Sequence, residues 1–278
     1  MQQRHVFRNG LYVLLLIIFT FYFLGRGTKE GVDIAILGAF PEETAWIKSQ
    51  TENLHSVEKM GIKFLLGKLE GKHIAIVETS IGKVNAAMTT TLLLEHFLPQ
   101  YVIFTGVAGG LNPDLLPGDI VIGERTVQHD LGDFTPQGII PKGMRNPLTS
   151  IRNPVYFAAD SLLLTAAQAA AAKVDFEPIE TSAGKRYPAI IYGTITTGDA
   201  FIAFIDKKQE LRDLHHAEAV EMEGAAVAQI CYQHGYPLLV IRCLSDNSDE
   251  NAEVDFEKFY EVAARNANRL VLEIVKGL

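Results

Sequence analysis

Two rhythms of apolar residues run along most of this chain. Short, nearly unbroken apolar runs occur at 32–38 (Val-Asp-Ile-Ala-Ile-Leu-Gly), 101–105 (Tyr-Val-Ile-Phe-Thr), 119–122, 189–197 and 238–244. Their length, and the glycine or proline beside several of them, predict buried strands. A hairpin is expected from 63–68 and 73–79, turning at Glu70-Gly71. Between these runs lie stretches rich in good helix formers. Helices are predicted from Pro41-Glu42-Glu43 onward and over 85–97, 156–173, 224–233 and 255–275. Residues 131–153 are rich in Gly, Pro and Asn and read as a long loop.

Strands alternating with helices predict a three-layer α/β/α sandwich around a mixed, mostly parallel sheet. No repeat or linker divides residues 31–278, so one domain is expected there. Residues 1–30 differ in kind. The run LYVLLLIIFTFYFL at 11–24 carries no charge, with Arg4, His5 and Arg8 ahead of it and Arg26 and Lys29 behind. It reads as an N-terminal hydrophobic helix, a signal-anchor or signal peptide. No A-x-A-like site follows it, which favours an uncleaved anchor. The basic start sends the domain outward, to the periplasm or beyond an inner membrane. The basic residues behind the run leave a cytoplasm-facing anchor as the other orientation.

Composition narrows the function. A net charge of −8 argues against nucleic acid as a partner. Cys231 and Cys243 both sit in apolar runs and match no zinc pattern, so neither a metal nor another cofactor is expected. They read as small buried hydrophobes.

In open α/β sheets, ligands bind beyond the strand ends. Four such ends carry chemistry: 38–43 (GAFPEE), 105–110 (TGVAGG), 220–226 (VEMEGAA) and 242–246 (RCLSD). Three have ordinary explanations when taken singly. Glu42 and Glu43 suit a helix N-terminus. The glycines suit a tight turn, and no Lys-Ser/Thr follows them as in a phosphate loop. Ser245-Asp246 could cap the next helix. Glu221-Met222-Glu223 resists such a reading, because two carboxylates beside Ala225, Ala226 and Val227 face a burial cost without partners.

Taken together and in order, IAILGAFPEE, SIGKVNAAMTTTLLLEHF, FTGVAGGL, PGDIVI, TTGDAFI, AVEMEGAAVAQIC and VIRCLSDNSD resemble the bacterial 5′-methylthioadenosine/S-adenosylhomocysteine nucleosidases. These belong to the purine nucleoside phosphorylase-like superfamily. The resemblance covers 33–278. It implies a homodimer that hydrolyses the N-glycosidic bond of 5′-modified adenosines and releases adenine. By that resemblance Glu43 activates the attacking water, and Asp246, positioned by Ser245, protonates the leaving base. Glu223 beside Met222 holds the ribose hydroxyls. Phe201 and Ile202 contact the purine, Arg242 lies near the water, and Phe256 covers the 5′ group. Ala108 and Gly109 join the binding wall, and His129-Asp130 matches a pair near the 5′ pocket.

The chemistry needs these types. Adenine leaves poorly as an anion, so an acid must protonate it. The ribosyl cation left behind needs a carboxylate and an activated water. An aspartate that acts as an acid needs a raised pKa, which burial supplies. The chain departs from the family at Val107, where serine or threonine is common. Two alternatives stay open at this point. One is a phosphate-dependent phosphorylase, which would want a basic residue where Glu43 stands. The other is a non-catalytic, membrane-tethered nucleoside-binding module.

Overall fold

The computed structural model describes residues 31–181 and 184–278. The hydrophobic helix expected within 1–30 lies outside the described residues. Among those described, no helix is long and apolar enough to cross a membrane.

The chain runs β1 (Ile34–Gly38), α1 (Pro41–Ser49), β2 (Glu52–Lys59), β3 (Ile62–Leu69), β4 (Lys72–Glu78), α2 (Lys83–Phe97), β5 (Tyr101–Gly110) and β6 (Ile120–Gln128). It continues with β7 (Gly132–Thr135), β8 (Gly138–Pro141), β9 (Tyr156–Ala158), α3 (Ser161–Ala171), β10 (Ile179–Thr181), β11 (Gly184–Arg186) and β12 (Ile190–Thr197). It ends with α4 (Ile205–His215), β13 (Ala217–Glu221), α5 (Gly224–His234), β14 (Leu238–Asp246) and α6 (Ala252–Gly277).

The main sheet has the order β13-β12-β6-β14-β5-β1-β4-β3-β2, with β9 pairing to β6. It is evenly mixed rather than mostly parallel: five of its ten pairings are parallel and five antiparallel. Part of the difference comes from the β2–β3–β4 meander. Its two turns place Met60-Gly61 and Glu70-Gly71 at positive φ, the geometry that two-residue hairpin turns require. Strand β2 has no apolar rhythm because it is a charged, exposed edge.

Helices cover both faces. Ala35 and Leu37 of β1 and Val102 and Phe104 of β5 pack with Leu93 and Phe97 of α2 and Val227 and Cys231 of α5. Ile34 and Ile36 of β1 and Ile103 of β5 point the other way, to Ile47 of α1, Leu163 of α3 and Leu270 and Ile274 of α6. Both sides of the strands are therefore buried, which explains their unbroken apolar runs. Each fully buried Leu or Ile contributes about 1.5–3 kcal/mol. Both cysteines are free and buried, as expected.

Three other elements differ from the sequence expectation. The helix expected from Tyr156 begins only at Ser161, because Asp160 caps it by accepting from Leu162 and Leu163 N–H. Residues 156–158 pair with β6 instead. The loop at 131–153 contains the β7–β8 hairpin. Strand β5 does not stop at Thr105 but runs on through its glycines.

One further contact positions the site. Beyond its path through the sheet, β13 also pairs antiparallel with β5, Val220 opposite Gly109 and Ala219 opposite Gly110. Gly109 also pairs with Asp246 of β14. The sheet thus curls back on itself, and the ends of β5, β13 and β14 meet.

Candidate active site

The glycines of β5 are where two acids approach the backbone. A Cβ on Gly106 would stand 2.3 Å from Glu43 Oε1. A Cβ on Gly109 would stand 2.8 Å from Asp246 Oδ1 and 2.1 Å from Ser248 Oγ. The motif is thus neither a turn nor a phosphate cradle. It is a strand stripped of side chains so that carboxylates can lie against it.

Glu43 is buried in the first turn of α1. Its Oε1 accepts from Val107 N–H at 2.8 Å, and its Oε2 accepts from Ala39 N–H. Asn268 of α6 donates to the Glu43 carbonyl at 2.7 Å and ties the first turn down. Burial pushes the Glu43 carboxyl above the usual range, against the pull of Arg242 and the N–H donors. Val107 serves Glu43 through its backbone, which a valine side chain leaves intact.

Glu221 and Glu223 stand two residues apart in different surroundings. Glu221 pairs with Arg242 at 2.6 Å and accepts from Thr197 Oγ1 and from Glu223 and Gly224 N–H. Glu223 accepts from Gly82 N–H at 2.8 Å. Burial and the charge of Glu221 push Glu223 up to about 8. Arg242, expected near the water, is not among the residues that line the cavity; it lies buried with Glu221 and over the Phe104 ring, 4.1 Å from its centroid. It acts on Glu43 through its charge.

Asp246 closes β14. Its Oδ2 accepts from Ser245 Oγ and its Oδ1 from Ser248 N–H, both at 2.8 Å. Burial holds the carboxyl above its ordinary range. Ser245-Asp246 caps no helix, since α6 begins at Ala252.

These groups open into one cavity of about 450 Å³, a size suited to a nucleoside-sized ligand. Glu43, Ala108, Gly109, Met222, Glu223, Ser245 and Asp246 line its depth, with Phe201, Ile202 and Phe256 on its walls. Phe256 lies 6.5 Å from Phe40 and 6.3 Å from Phe201, centroid to centroid. The sequence reading had not placed Phe40, Ile81, Ala200, Val220, Ser248, Glu253 or Glu257 in the wall. The signal for Phe40, Ile81, Ala200, Val220 and Ser248 is position alone, each at or just after a strand end, whereas Glu253 and Glu257 come from the first turns of α6. His129 and Asp130 stand outside the cavity and brace its wall. Asp130 binds Lys83 at 2.6 Å and accepts from Asp199 N–H at 3.0 Å.

The charged lining is one-sided. Glu43, Glu221, Glu223, Asp246, Glu253 and Glu257 contribute to it, and among the described residues no lysine, arginine or histidine does. Such a site suits a neutral or cationic ligand and repels an anion.

Known proteins share this chain's pattern. The phosphorylase superfamily model matches residues 33–276. A 5′-methylthioadenosine/S-adenosylhomocysteine nucleosidase of Geobacillus kaustophilus is 41% identical, covering 87% of this chain and 95% of its own. The protein of that name from Marinomonas sp. is 38% identical over 88% and 98%. Among solved structures, the nucleosidase of that name from Neisseria meningitidis, in complex with methylthio-immucillin-A, superposes with a TM-score of 0.76. It shows 34% identity and covers 88% of this chain and 99% of its own.

Proposed function

The chain belongs to the phosphorylase superfamily, and from that premise we propose that it is a nucleosidase that hydrolyses 5′-methylthioadenosine and S-adenosylhomocysteine and releases adenine. The observation that carries this reading is that the charged residues lining the cavity are all acids. A phosphorylase must hold an anionic nucleophile, but among the described residues no lysine, arginine or histidine lines the cavity, and the nearby Arg242 is already paired with Glu221. Water is the nucleophile that fits.

In this reading Asp246, whose pKa burial raises, gives a proton to N7 of the base. The C1′–N9 electron pair leaves with adenine, and positive charge develops on the ribose. Glu43 holds water and takes its proton as the oxygen bonds C1′; its raised pKa makes it a better base. Glu223 binds the ribose hydroxyls. Ser245 orients Asp246, Phe201 and Ile202 hold the purine, and Phe256 covers the 5′ group. The test is adenine release from both substrates by the full-length chain, with and without phosphate. Release independent of phosphate is expected. Release only with phosphate would overturn hydrolysis, and binding without release would make the protein a sensing module.

Two further features belong to this proposal. Val84 and Met88 of α2 extend an exposed apolar stripe from Ile81, which itself lines the cavity. The stripe supports a homodimer that completes the cavity wall, and light scattering tests it. The uncharged run at 11–24 supports a membrane-anchored, exported domain. Fractionation with protease protection tests that placement.

A further inference from the structure

Helix α4, directly after the Phe201–Ile202 wall, reaches back to the acid. Lys208 lies near its start and is 9% exposed, a depth that lysine rarely occupies unpaired. Its Nζ donates to the backbone carbonyl of Asn247 at 2.6 Å, its one hydrogen bond among the described residues. That carbonyl belongs to the peptide unit joining Asn247 to Ser248. The N–H of the same unit donates to Asp246 Oδ1 at 2.8 Å. One planar peptide thus carries an ammonium at its oxygen end and the acid at its nitrogen end.

We propose that Lys208 is a positioning residue for the acid, gripping the 247–248 peptide so that its N–H stays aimed at Asp246. This rests on the reading of Asp246 as the proton donor. Two observations and one physical argument carry it. Ser248 holds φ +52°, a conformation that L side chains rarely adopt, so the turn needs an outside tie. Ser248 Oγ is buried without a partner, so the side chain does not supply that tie. The cation also polarises the peptide it grips, which strengthens the N–H bond to a carboxylate at the far end.

The charge of the neighbouring acids opposes the effect of the tie on Asp246. The acids that face Lys208 are Asp249 and Asp246; they oppose the burial that lowers its pKa. Those that face Asp246 are Asp255 and Asp249, and both add to the burial that raises it. The ammonium is the cation bonded to this turn. Its removal leaves burial and like charge unopposed by the polarised N–H, so Asp246 holds its proton more tightly.

The test uses the full-length chain. Asp246 is titrated by carboxyl ¹³C NMR, its signal assigned with Asp246→Asn, and adenine release is followed against pH. Lys208→Met is expected to move the Asp246 titration, and the basic limb of kcat, up by about one pH unit. It should lower kcat about tenfold, a part of the 10²–10⁴-fold that a general acid supplies, with little change in KM. Lys208→Arg should restore both. Lys208→Gln keeps a donor without the charge; it separates the two effects if Lys208→Met does not fold, and the limb is expected to move with it too. An Asp246 titration identical in wild type, Lys208→Met and Lys208→Gln would overturn the proposal. So would a loss of kcat with an unmoved limb, which marks a merely structural tie. If the wild type releases no adenine while the titration still moves, the functional reading fails and the tie stands.

Discussion

At the floor of the cavity, Glu43, Glu223 and Asp246 are each 5% exposed or less, and backbone N–H groups of strands, loops or turns hold every one. At the mouth, Ile81 and Phe201 are 53% and 52% exposed, and Phe256 is half-buried with ring contacts to Phe40, Phe201 and Tyr260. The floor is expensive: burying an acid costs free energy unless donors offset it. The mouth costs little and can change shape at little cost. Under the proposed function, the floor would set the reaction type and the mouth would discriminate among 5′ substituents.

The hardest blow to this contrast is at the floor. Asp246→Asn should lower kcat about 10²–10⁴-fold for every substrate, with the fold intact by circular dichroism. An active variant would remove Asp246 from the chemistry. Gly106→Ala comes next. Its Cβ would meet Glu43 Oε1 at 2.3 Å, so the carboxylate must move, and a loss of about 100-fold in kcat is expected. Unchanged kcat would show that Glu43 need not lie against β5.

A gentler probe is the stability of the floor. Glu223 has its pKa raised from the ordinary 4.5 to about 8. Its native form prefers the proton, so its contribution is full below about pH 4.5 and is lost as pH rises through about 8. Glu223→Gln should therefore flatten the fall in denaturant midpoint between pH 5 and 9. An equal fall in both proteins would contradict the raised value. Least of all, Phe256→Ala at the mouth should alter kcat/KM by only about 10-fold. It should do so unequally for the methylthio and homocysteinyl substrates. A loss as large as at Asp246, and equal for both, would erase the contrast.

Much of this was legible beforehand. The runs at Ile34, Tyr101 and Leu238 are strands because both their faces are buried, and that leaves an unbroken apolar signature. The acids of Glu221-Met222-Glu223 stand out because carboxylates next to apolar runs call for an explanation, whereas Glu43 and Asp246 stand out only through the family resemblance of their motifs. Arg242 was less legible. Its position on β14 placed it near the water, yet Glu221 draws it beneath the cavity. Helix α4 was missed because its mean pattern is polar, and with it went Lys208, whose burial no local rhythm announces.

By itself, then, the sequence determined the strands, most of the helices and the kinds of residue at their ends, because these follow from local periodicity and side-chain chemistry. It also carried the glycines of β5. What those glycines do was decided by tertiary structure. Only when β13 and β14 both pair with Gly109 do acids 43, 223 and 246 share one cavity. Burial within that closure is the largest cause that raises their pKa values, and desolvation depends on the surroundings that only the folded chain assembles.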